Sequence, residues 1–420
     1  MPRPLALSLV LVLAPLAAAH QDPPAAPDPA ALVKLLGSPS FEAREAAEQR
    51  LKALGPAALA AVRAGAASTD PEVAARCAVV RDHIWAADAQ AFLAGKKDHS
   101  SATWKQFKTI AGDSADARTL FAEVMSDARR AEELEKAEAD PAKAHEVYAA
   151  ALGRAKEAVA KVFVPFMGRP IAGDLGKDAQ DAVRQALPAA EVAAVLLLGT
   201  HPLPAGVADP ADVPALFKAG FADGAEGPLK EPFRKLFAAW LDRRKEPRAI
   251  QAGLTAALYC GVPEAAAVAR RVAADKAATP GLLAQALLVV GNHGGRNDLP
   301  LLAARRADDR ATSRMLPPGP VPALAPGPAP APGPGDTRVR DVAAGMALRL
   351  SGQDFVAYGF GAEQWYTWQV RPGVALFQGV GGRFPSDEAR EAAHKKAWAW
   401  LDQQPKPAPG GPAAPNPNKR

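Results

Sequence analysis

Apolar side chains recur every three or four positions along most of the chain, with polar residues between them. This spacing predicts amphipathic helices, because residues three or four apart share one helix face. Leu120, Phe121, Val124 and Met125 form one such stripe, and a further helix is expected from Leu229 to Arg243. We therefore expect a chain built from many helices.

Local start and stop signals mark the ends of these helices. A capping Asp or Thr satisfies free N–H groups, proline fits the first helical position, and glycine ends a helix in the left-handed conformation. Capping residue and proline stand together at Asp28-Pro29, Asp70-Pro71, Asp140-Pro141, Asp209-Pro210 and Thr279-Pro280. Apolar residue and glycine stand together at Leu36-Gly37, Leu54-Gly55, Leu198-Gly199, Cys260-Gly261 and Val290-Gly291. The pattern predicts short helices joined by tight corners.

Two stretches near the start of the chain carry a repeat pattern. Residues 40–47 read SFEAREAA, residues 51–56 read LKALGP, and DPEVAARCA follows at 70–78. They resemble the first helix and turn of a HEAT-type repeat and the start of the next, as in exported bacterial HEAT-repeat proteins. Alanine replaces the family's usual arginine between Val73 and Arg76. The resemblance implies an α-solenoid, and it implies no activity, because that family has no agreed chemistry.

Helix starts in the second half of the chain are spaced at repeat length. Helices are expected to begin near Pro247, Pro280 and Thr337, at intervals of 33 and 57 residues, against a usual repeat period of about 33 to 47. Residues 315–335 are almost entirely Pro, Ala and Gly, and without these 21 residues the second interval is 36. We expect this segment to be a disordered, polyproline-like insertion. The region from 341 to 360 is also similar to the closing region of those exported proteins.

These observations predict an all-α fold, an α-solenoid of HEAT-like helix pairs with a small irregular aromatic segment near the end. A short strand is expected at Val374–Phe377, and residues 96–160 are expected to hold two longer, more polar helices. The expected segments are a signal peptide (1–19), a Pro/Ala-rich lead (20–27), HEAT-like repeats (28–95), a helical middle region (96–243), HEAT-like repeats (244–314), the insertion (315–335), a last repeat helix with aromatic segment and final helix (336–404), and a disordered tail (405–420).

The first residues have the pattern of a secretory signal peptide. Arg3 precedes the apolar run Leu5–Leu16, and three alanines stand before His20 as a cleavage region,. The run is shorter than the roughly 20 residues that span a bilayer, and Pro15 interrupts it. We expect an exported protein, periplasmic or secreted, without a membrane span.

The charge balance argues against a nucleic-acid partner. The net charge of +5 is small beside 95 charged residues. Adjacent arginines lie in separate expected helices, where a solvated face explains them better than a track for nucleic acid. These pairs are Arg129-Arg130, Arg243-Arg244, Arg270-Arg271 and Arg305-Arg306.

No constellation of reactive side chains stands out, so we assign no catalytic, cofactor-binding or metal-binding residue. HExxH, CxxC, GxSxG and P-loop patterns are all missing from the sequence,. Cys77 and Cys260 each fall in a packing stripe, which predicts two separate buried thiols. His293 stands among glycines with Asp298 nearby, a context that can mark an active-site loop. A helix corner explains this context more simply. The remaining histidines are expected to stand alone: His83, His99, His145, His201 and His394.

Aromatic residues gather between Phe355 and Phe384 as alanine thins out. They form either a binding platform for a partner or a cap that seals the open end of a helical array. We favour the cap, because helical arrays otherwise expose apolar ends. Possible partner-binding residues are Tyr358, Phe360, Trp365, Tyr366 and Trp368.

The preferred hypothesis is a non-enzymatic, exported helical-repeat scaffold that binds an unknown protein partner in the cell envelope. Two alternatives remain open. One is an envelope hydrolase with an unrecognised site, or with His293 and Asp298 as its reactive pair. The other is electrostatic binding of anionic envelope polymers by the basic surplus, which predicts a steep salt dependence.

Overall fold

Most of the chain that the structure describes is helical, which confirms the expected all-α class. The computed structural model describes residues 28–96, 101–163, 182, 185–202, 224–225, 227–313, 336–360 and 384–404. The predicted strand at 374–377 and the expected signal peptide, insertion and tail lie outside these residues.

The helices of the described residues are α1 (Pro29–Leu35), α2 (Phe41–Leu54), α3 (Leu59–Ala66), α4 (Pro71–Leu93), α5 (Ala102–Ala111), α6 (Ala115–Met125), α7 (Ala128–Ala139), α8 (Ala144–Phe163), α9 (Ala189–Leu198), α10 (Lys230–Asp242), α11 (Pro247–Tyr259), α12 (Ala266–Ala274), α13 (Pro280–His293), α14 (Leu299–Ala303), α15 (Val339–Leu350) and α16 (Asp387–Asp402). Short 3-10 helices lie at Gly55–Ala58, Pro263–Ala265, Arg296–Asp298 and Phe355–Tyr358. Two strands, β1 (Ala311–Ser313) and β2 (Thr337–Arg338), pair antiparallel. The chain divides into two compact units, residues 1–84 and 85–420.

Side-chain caps begin the first two helices of the first unit. Asp28 accepts a hydrogen bond from the N–H of Ala30 at the start of α1 (3.0 Å), and Ser40 accepts one from Ala43 at the start of α2 (3.2 Å). Gly55, which ends α2, has φ +58°, a conformation that favours glycine,. A helix and a turn therefore form at residues 41–55, where the sequence predicts them.

The core of the first unit is thin and depends on close helix contact. Leu51, Val62 and Cys77 have no exposed surface. A Cβ on Gly65 of α3 would lie 2.5 Å from the Cys77 sulfur on α4, so only glycine lets these helices approach so closely. Arg76 of α4 then holds α2 from outside, with Nη1 2.8 Å from a carboxylate oxygen of Glu45.

The middle of the chain differs from its prediction. Four helices, α5 to α8, occupy the stretch where two longer ones were expected. The reason is local: Gly112 ends α5 with φ +91°, Ser114 caps α6, and Asp127 caps α7. Trp104 and Phe107 of α5 are buried.

A carboxylate on one helix caps another in this region. Glu138 of α7 accepts hydrogen bonds from the N–H groups of Ala102 and Thr103, each at 2.9 Å, at the start of α5. It also accepts the Thr103 hydroxyl at 2.5 Å. Burial by itself raises the pKa of Glu138, but these hydrogen bonds outweigh it and leave the pKa below its ordinary value,.

The helix α9 ends at its predicted glycine for a different reason than expected. Gly199 has a right-handed φ of −70°. A Cβ there would lie 2.5 Å from Cδ1 of Trp240 and 2.9 Å from Cε2 of Tyr148. Trp240 in turn donates its indole N–H to the Tyr148 hydroxyl at 3.0 Å, with both side chains buried. Glycine is therefore required by packing at this position.

Helix α13 forms the centre of the last part of the chain. It packs against α11, α12 and α15, and the side chains from Ala286 to Val290 are fully buried. The prediction that Val290-Gly291 ends this helix is wrong, since α13 continues to His293. A Cβ on Gly291 would lie 2.3 to 2.6 Å from side-chain atoms of Met346 on α15, so this glycine serves helix packing.

The helix expected at Thr337 begins two residues later, because Thr337 and Arg338 form β2. Residues 311 and 338 are paired across the ribbon of β1 and β2. The two strands flank residues 314–335, so the ends of the predicted insertion are held side by side. The predicted starts at Pro247 and Pro280 are confirmed.

Candidate functional site

The helix α16, in the second unit, has one buried face and one face that borders an open groove. Ser386 caps it by accepting a hydrogen bond from the Ala389 N–H at 3.2 Å, and the acidic side chains of its first turn suit the positive end of the helix dipole,. Arg390 and His394 lie one turn apart on the buried face. Lys396 and Trp400 lie one turn apart on the face that borders an open groove.

Buried charged groups join α16 to α15. Asp341 of α15 and Arg390 have no exposed side-chain surface, and their closest N–O distance is 3.4 Å. Nε2 of His394 lies 2.8 Å from Oδ1 of Asp341. The second oxygen of Asp341 accepts the backbone N–H of Arg338 at 2.8 Å, which caps α15. Arg390 also donates to the Asp336 carbonyl oxygen at 2.7 Å. We call Asp341, Arg390 and His394 the buried clamp.

Two phenylalanines cover the clamp. The ring of Phe360 lies edge-to-face with those of Phe384 (centroids 5.4 Å apart) and His394 (5.5 Å). The Arg390 guanidinium lies 5.2 Å from the centroid of the Phe384 ring. Gly359, with φ +89°, turns the chain so that Phe360 enters the core,. This arrangement excludes water from the charges, which strengthens their attraction.

The aromatic groove lies between α16 and the 3-10 helix that precedes Gly359. Its volume is about 510 Å³. The rings of Tyr358 and Trp400 meet there edge-to-face, with centroids 6.0 Å apart and planes at 65°. The groove is lined by Gln353, Asp354, Ala357, Tyr358, Lys396, Ala399, Trp400 and Gln403.

Polar contacts fix the two walls of the aromatic groove. Lys396 donates to the carbonyl oxygen of Ala357 at 2.6 Å, and its ammonium group lies 5.5 Å from the centroid of the Tyr358 ring. The Tyr358 hydroxyl donates to Oε1 of Gln353 at 3.2 Å. Burial raises the pKa of Tyr358, so the phenol stays neutral at physiological pH. The groove is thus a fixed, uncharged aromatic corner beside amide and ammonium groups.

The structure separates the predicted partner-binding residues. Tyr358 lines the groove and is half-buried, whereas Phe360 is fully buried beneath it. Trp365, Tyr366 and Trp368 lie outside the described residues. The aromatic segment therefore supplies both a seal, through Phe360, and a surface group, through Tyr358.

Sequence reasoning missed two features of this region. Trp400 was not singled out, although its spacing from Lys396 and Gln403 places all three on one helix face. His394 was expected to stand alone, and that expectation is wrong, because it lies against Asp341. The partner was hidden because 53 residues separate the two positions.

Asp298, in the turn that follows His293, is bound by Arg270 of α12. Both oxygens of Asp298 accept hydrogen bonds from Arg270, at 2.7 and 3.0 Å. One of them also accepts the N–H of Gly295 at 2.9 Å. His293 ends α13, as the helix-corner interpretation predicted. Asp298 is therefore engaged in holding α12 to the turn before α14.

The two cysteines are buried and do not form a disulfide, which confirms the prediction of two separate thiols. Burial raises the pKa of Cys77, so its reactive thiolate form is suppressed at neutral pH.

Several of the paired arginines bind neighbouring helices instead of facing water alone. Glu191 of α9 lies 2.5 Å from Arg129 and 3.4 Å from Arg130. Arg244 is buried and donates to the carbonyl oxygen of Gly199 at the end of α9. Arg305 donates to the carbonyl oxygen of Ala273 at 2.7 Å. The expectation of purely solvated faces is wrong for these positions.

Within the described ranges, no helix combines the length and apolarity needed to cross a membrane. The same residues contain no group of three or more His, Cys, Asp and Glu side chains placed to hold a metal ion. Comparisons with protein-family models, curated proteins and solved structures found no match to this chain.

Proposed function

We propose that this protein is a non-enzymatic helical scaffold that binds a protein partner through the aromatic groove. The observation that carries the proposal is the edge-to-face pair of Tyr358 and Trp400, whose rings line an open groove. Tyrosine and tryptophan are enriched at the energetic centres of protein interfaces, because they bury a large area at little entropic cost.

The buried clamp supports the proposal, since it gives the groove a rigid base. On the same helix, Lys396 lies six residues after Arg390, and Trp400 lies six residues after His394. A partner meeting a fixed surface loses less conformational entropy on binding than one that must order it. The helix-capping role of Asp341 links the clamp to the backbone of α15 as well.

The scaffold that we propose is an α-solenoid of HEAT-like helix pairs. Its support is the sequence resemblance, together with the 33-residue interval between the starts of α11 and α13. Helix α13 packs against the two helices before it and against α15 after it, which is the nearest-neighbour packing of stacked repeats. We also propose export to the cell envelope, on the pattern of residues 1–19 alone.

A hydrolase is the weaker candidate. His394 lies within hydrogen-bond distance of Asp341, with Nε2 2.8 Å from Oδ1. Both side chains are buried under Phe360 and Phe384, where they join α15 to α16. This arrangement favours a structural role over attack on a substrate.

The test of the proposed function is crosslinking and affinity capture from the native cell envelope with the wild-type protein and the Trp400→Ala variant. We expect a partner that the wild type recovers and that Trp400→Ala recovers at least tenfold less. Phe41→Ala is the matched control, because Phe41 is 58% exposed and lies in the other unit. Equal recovery by all three proteins would contradict the role of the groove.

A further inference from the structure

The shape of the aromatic groove selects among extended ligands. Tyr358 and Trp400 meet at 65°, so they form a corner and not a flat platform. A flat sugar ring stacks best on a single exposed aromatic face, whereas a corner accepts a ring that enters between its walls. Polyproline II segments bind aromatic-lined grooves by inserting proline rings in this way.

The hydrogen-bonding groups around the corner suit the same kind of ligand. A polyproline II backbone has no internal hydrogen bonds, so its carbonyl oxygens need donors from the groove. The Tyr358 hydroxyl donates to Oε1 of Gln353, which turns the NH₂ of that amide away from the ring as a donor. The exposed amide of Gln403 lies on the opposite wall.

The chain itself supplies a segment of this chemistry next to the groove. Residues 405–420 read PKPAPGGPAAPNPNKR, with six prolines among 16 residues. The segment begins two positions after Gln403. At this end of α16, Asp354 lines the groove, and Asp402 lies 3.5 Å from Arg306.

The length of the segment is sufficient for it to return along the groove. The face of α16 from Lys396 to Gln403 is about 10 Å long, at roughly 1.5 Å per residue. Residues 412–417 would cover about 19 Å in the polyproline II conformation, at roughly 3.1 Å per residue. Gly410 and Gly411 stand between the outgoing and the returning part, and glycines permit such a reversal.

The other proline-rich segment, residues 315–335, is less well placed. Strand β2 follows it, and Arg338 of β2 lies 2.8 Å from Asp387 at the first turn of α16. Trp400 is 13 residues further along the helix, about 20 Å away at roughly 1.5 Å per residue. The segment 405–420, in contrast, follows the C-terminal end of α16, where Trp400 and Gln403 line the groove.

We propose that residues 405–420 of this chain dock in the aromatic groove, with their prolines against Tyr358 and Trp400. The inference rests on the proposed function, because it takes the same groove as a binding surface. The inference adds regulation, because a partner must displace residues 405–420 from the groove. These residues compete for the groove at the high effective concentration that a short tether provides.

The experiment uses a fluorescein-labelled peptide of residues 405–420 and two full-length proteins. One is the wild type, and the other carries serine at the segment's six prolines (Pro405, Pro407, Pro409, Pro412, Pro415 and Pro417). We expect the serine variant to bind the peptide at least tenfold more tightly by fluorescence anisotropy, because its groove has lost the tethered competitor.

Further variants in the serine background locate the peptide. Trp400→Ala weakens peptide binding at least tenfold and Gln353→Ala weakens it severalfold, whereas Phe41→Ala leaves it unchanged. Circular dichroism confirms that each variant retains its helix content. If Trp400→Ala does not fold, the Gln353→Ala result decides, because this half-buried glutamine lies on the opposite wall.

Three outcomes would overturn the inference. They are equal peptide affinity of wild type and serine variant, tighter binding of a peptide of residues 315–335, and dimers of the wild type that the serine substitutions abolish. If the peptide does not bind, but the wild type recovers a partner that Trp400→Ala does not, this inference is refuted and the proposed function stands. Peptide binding without such a partner would refute the proposed function and leave this inference intact.

Discussion

Replacing Arg390 by methionine tests whether the buried clamp holds α16 in place. Methionine has a comparable length and fills the same space without charge or donors. The variant leaves the carboxylate of Asp341 buried, with His394 and the Arg338 N–H as its remaining contacts. The carbonyl oxygen of Asp336 also loses its guanidinium donor.

The expected loss follows from the separate contacts of Arg390. Removing one partner of a buried ion pair costs about 3–5 kcal/mol, and the lost hydrogen bond to Asp336 contributes about 1 kcal/mol. The contact with Asp387 adds little, since that carboxylate is half exposed,. Because His394 still faces Asp341, we expect a net loss of about 3 kcal/mol.

Urea unfolding followed by tryptophan fluorescence measures this loss. Trp398 and Trp400 lie on the helix that the clamp holds. With a denaturant slope of about 3 kcal/mol/M, 3 kcal/mol corresponds to a midpoint about 1 M lower. The charge-retaining variant Arg390→Lys should recover less than half of the difference, since an ammonium group lacks the planar fork of a guanidinium.

The matched control is Lys161→Met in the same unit. Lys161 and Glu157 form a helical ion pair at 2.8 Å, with side chains 74% and 64% exposed. We expect no measurable change in the midpoint, because exposed ion pairs are screened by water and salt. If Arg390→Met lowers the midpoint no more than Lys161→Met, the reasoning about the buried clamp is refuted.

Three further predictions concern other elements. Glu138→Gln should cost about 1–2 kcal/mol by removing a charged helix cap. Because the wild-type pKa lies below that of an ordinary glutamate, the stabilisation is complete above the unfolded-state pKa and is lost as the pH falls through the folded-state pKa. The variant should therefore show a flatter acid limb in pH-dependent melting. Gly153→Ala should raise the free energy of unfolding by about 0.5–1 kcal/mol in urea, since Gly153 is helical and a Cβ there meets nothing within 4 Å,. Gly261→Ala should lower it by about 1 kcal/mol, because Gly261 has φ +59°,. A change of the same sign in both variants would contradict this reasoning. Gly291→Val should cost about 3 kcal/mol or more by overpacking against α15, and a melting temperature equal to that of the wild type would show that the helices can separate.

Features encoded within a few residues were predictable from the sequence. The caps at Asp28, Ser40 and Thr279 depend on one side chain and the next turn of backbone, so they form where the pattern indicates. The burial of Phe233 and Trp240 follows in the same way from helical spacing.

Features that depend on distant residues were not predictable. Gly199 and Gly291 have the sequence context of helix ends, but side chains from other helices determine their roles. Asp341 and His394 meet only once α15 and α16 are packed, so neither residue alone indicated the clamp. The groove shares this origin, because Tyr358 and Trp400 are 42 residues apart in the sequence.

The ribbon of β1 and β2 makes the chain between these strands a natural place for variation. Because the strands already bring its two ends together, lengthening that connection adds only loop entropy, about 0.6 kcal/mol for each doubling. A fluorescent or affinity module inserted near residue 325 should therefore leave the surrounding helices undisturbed.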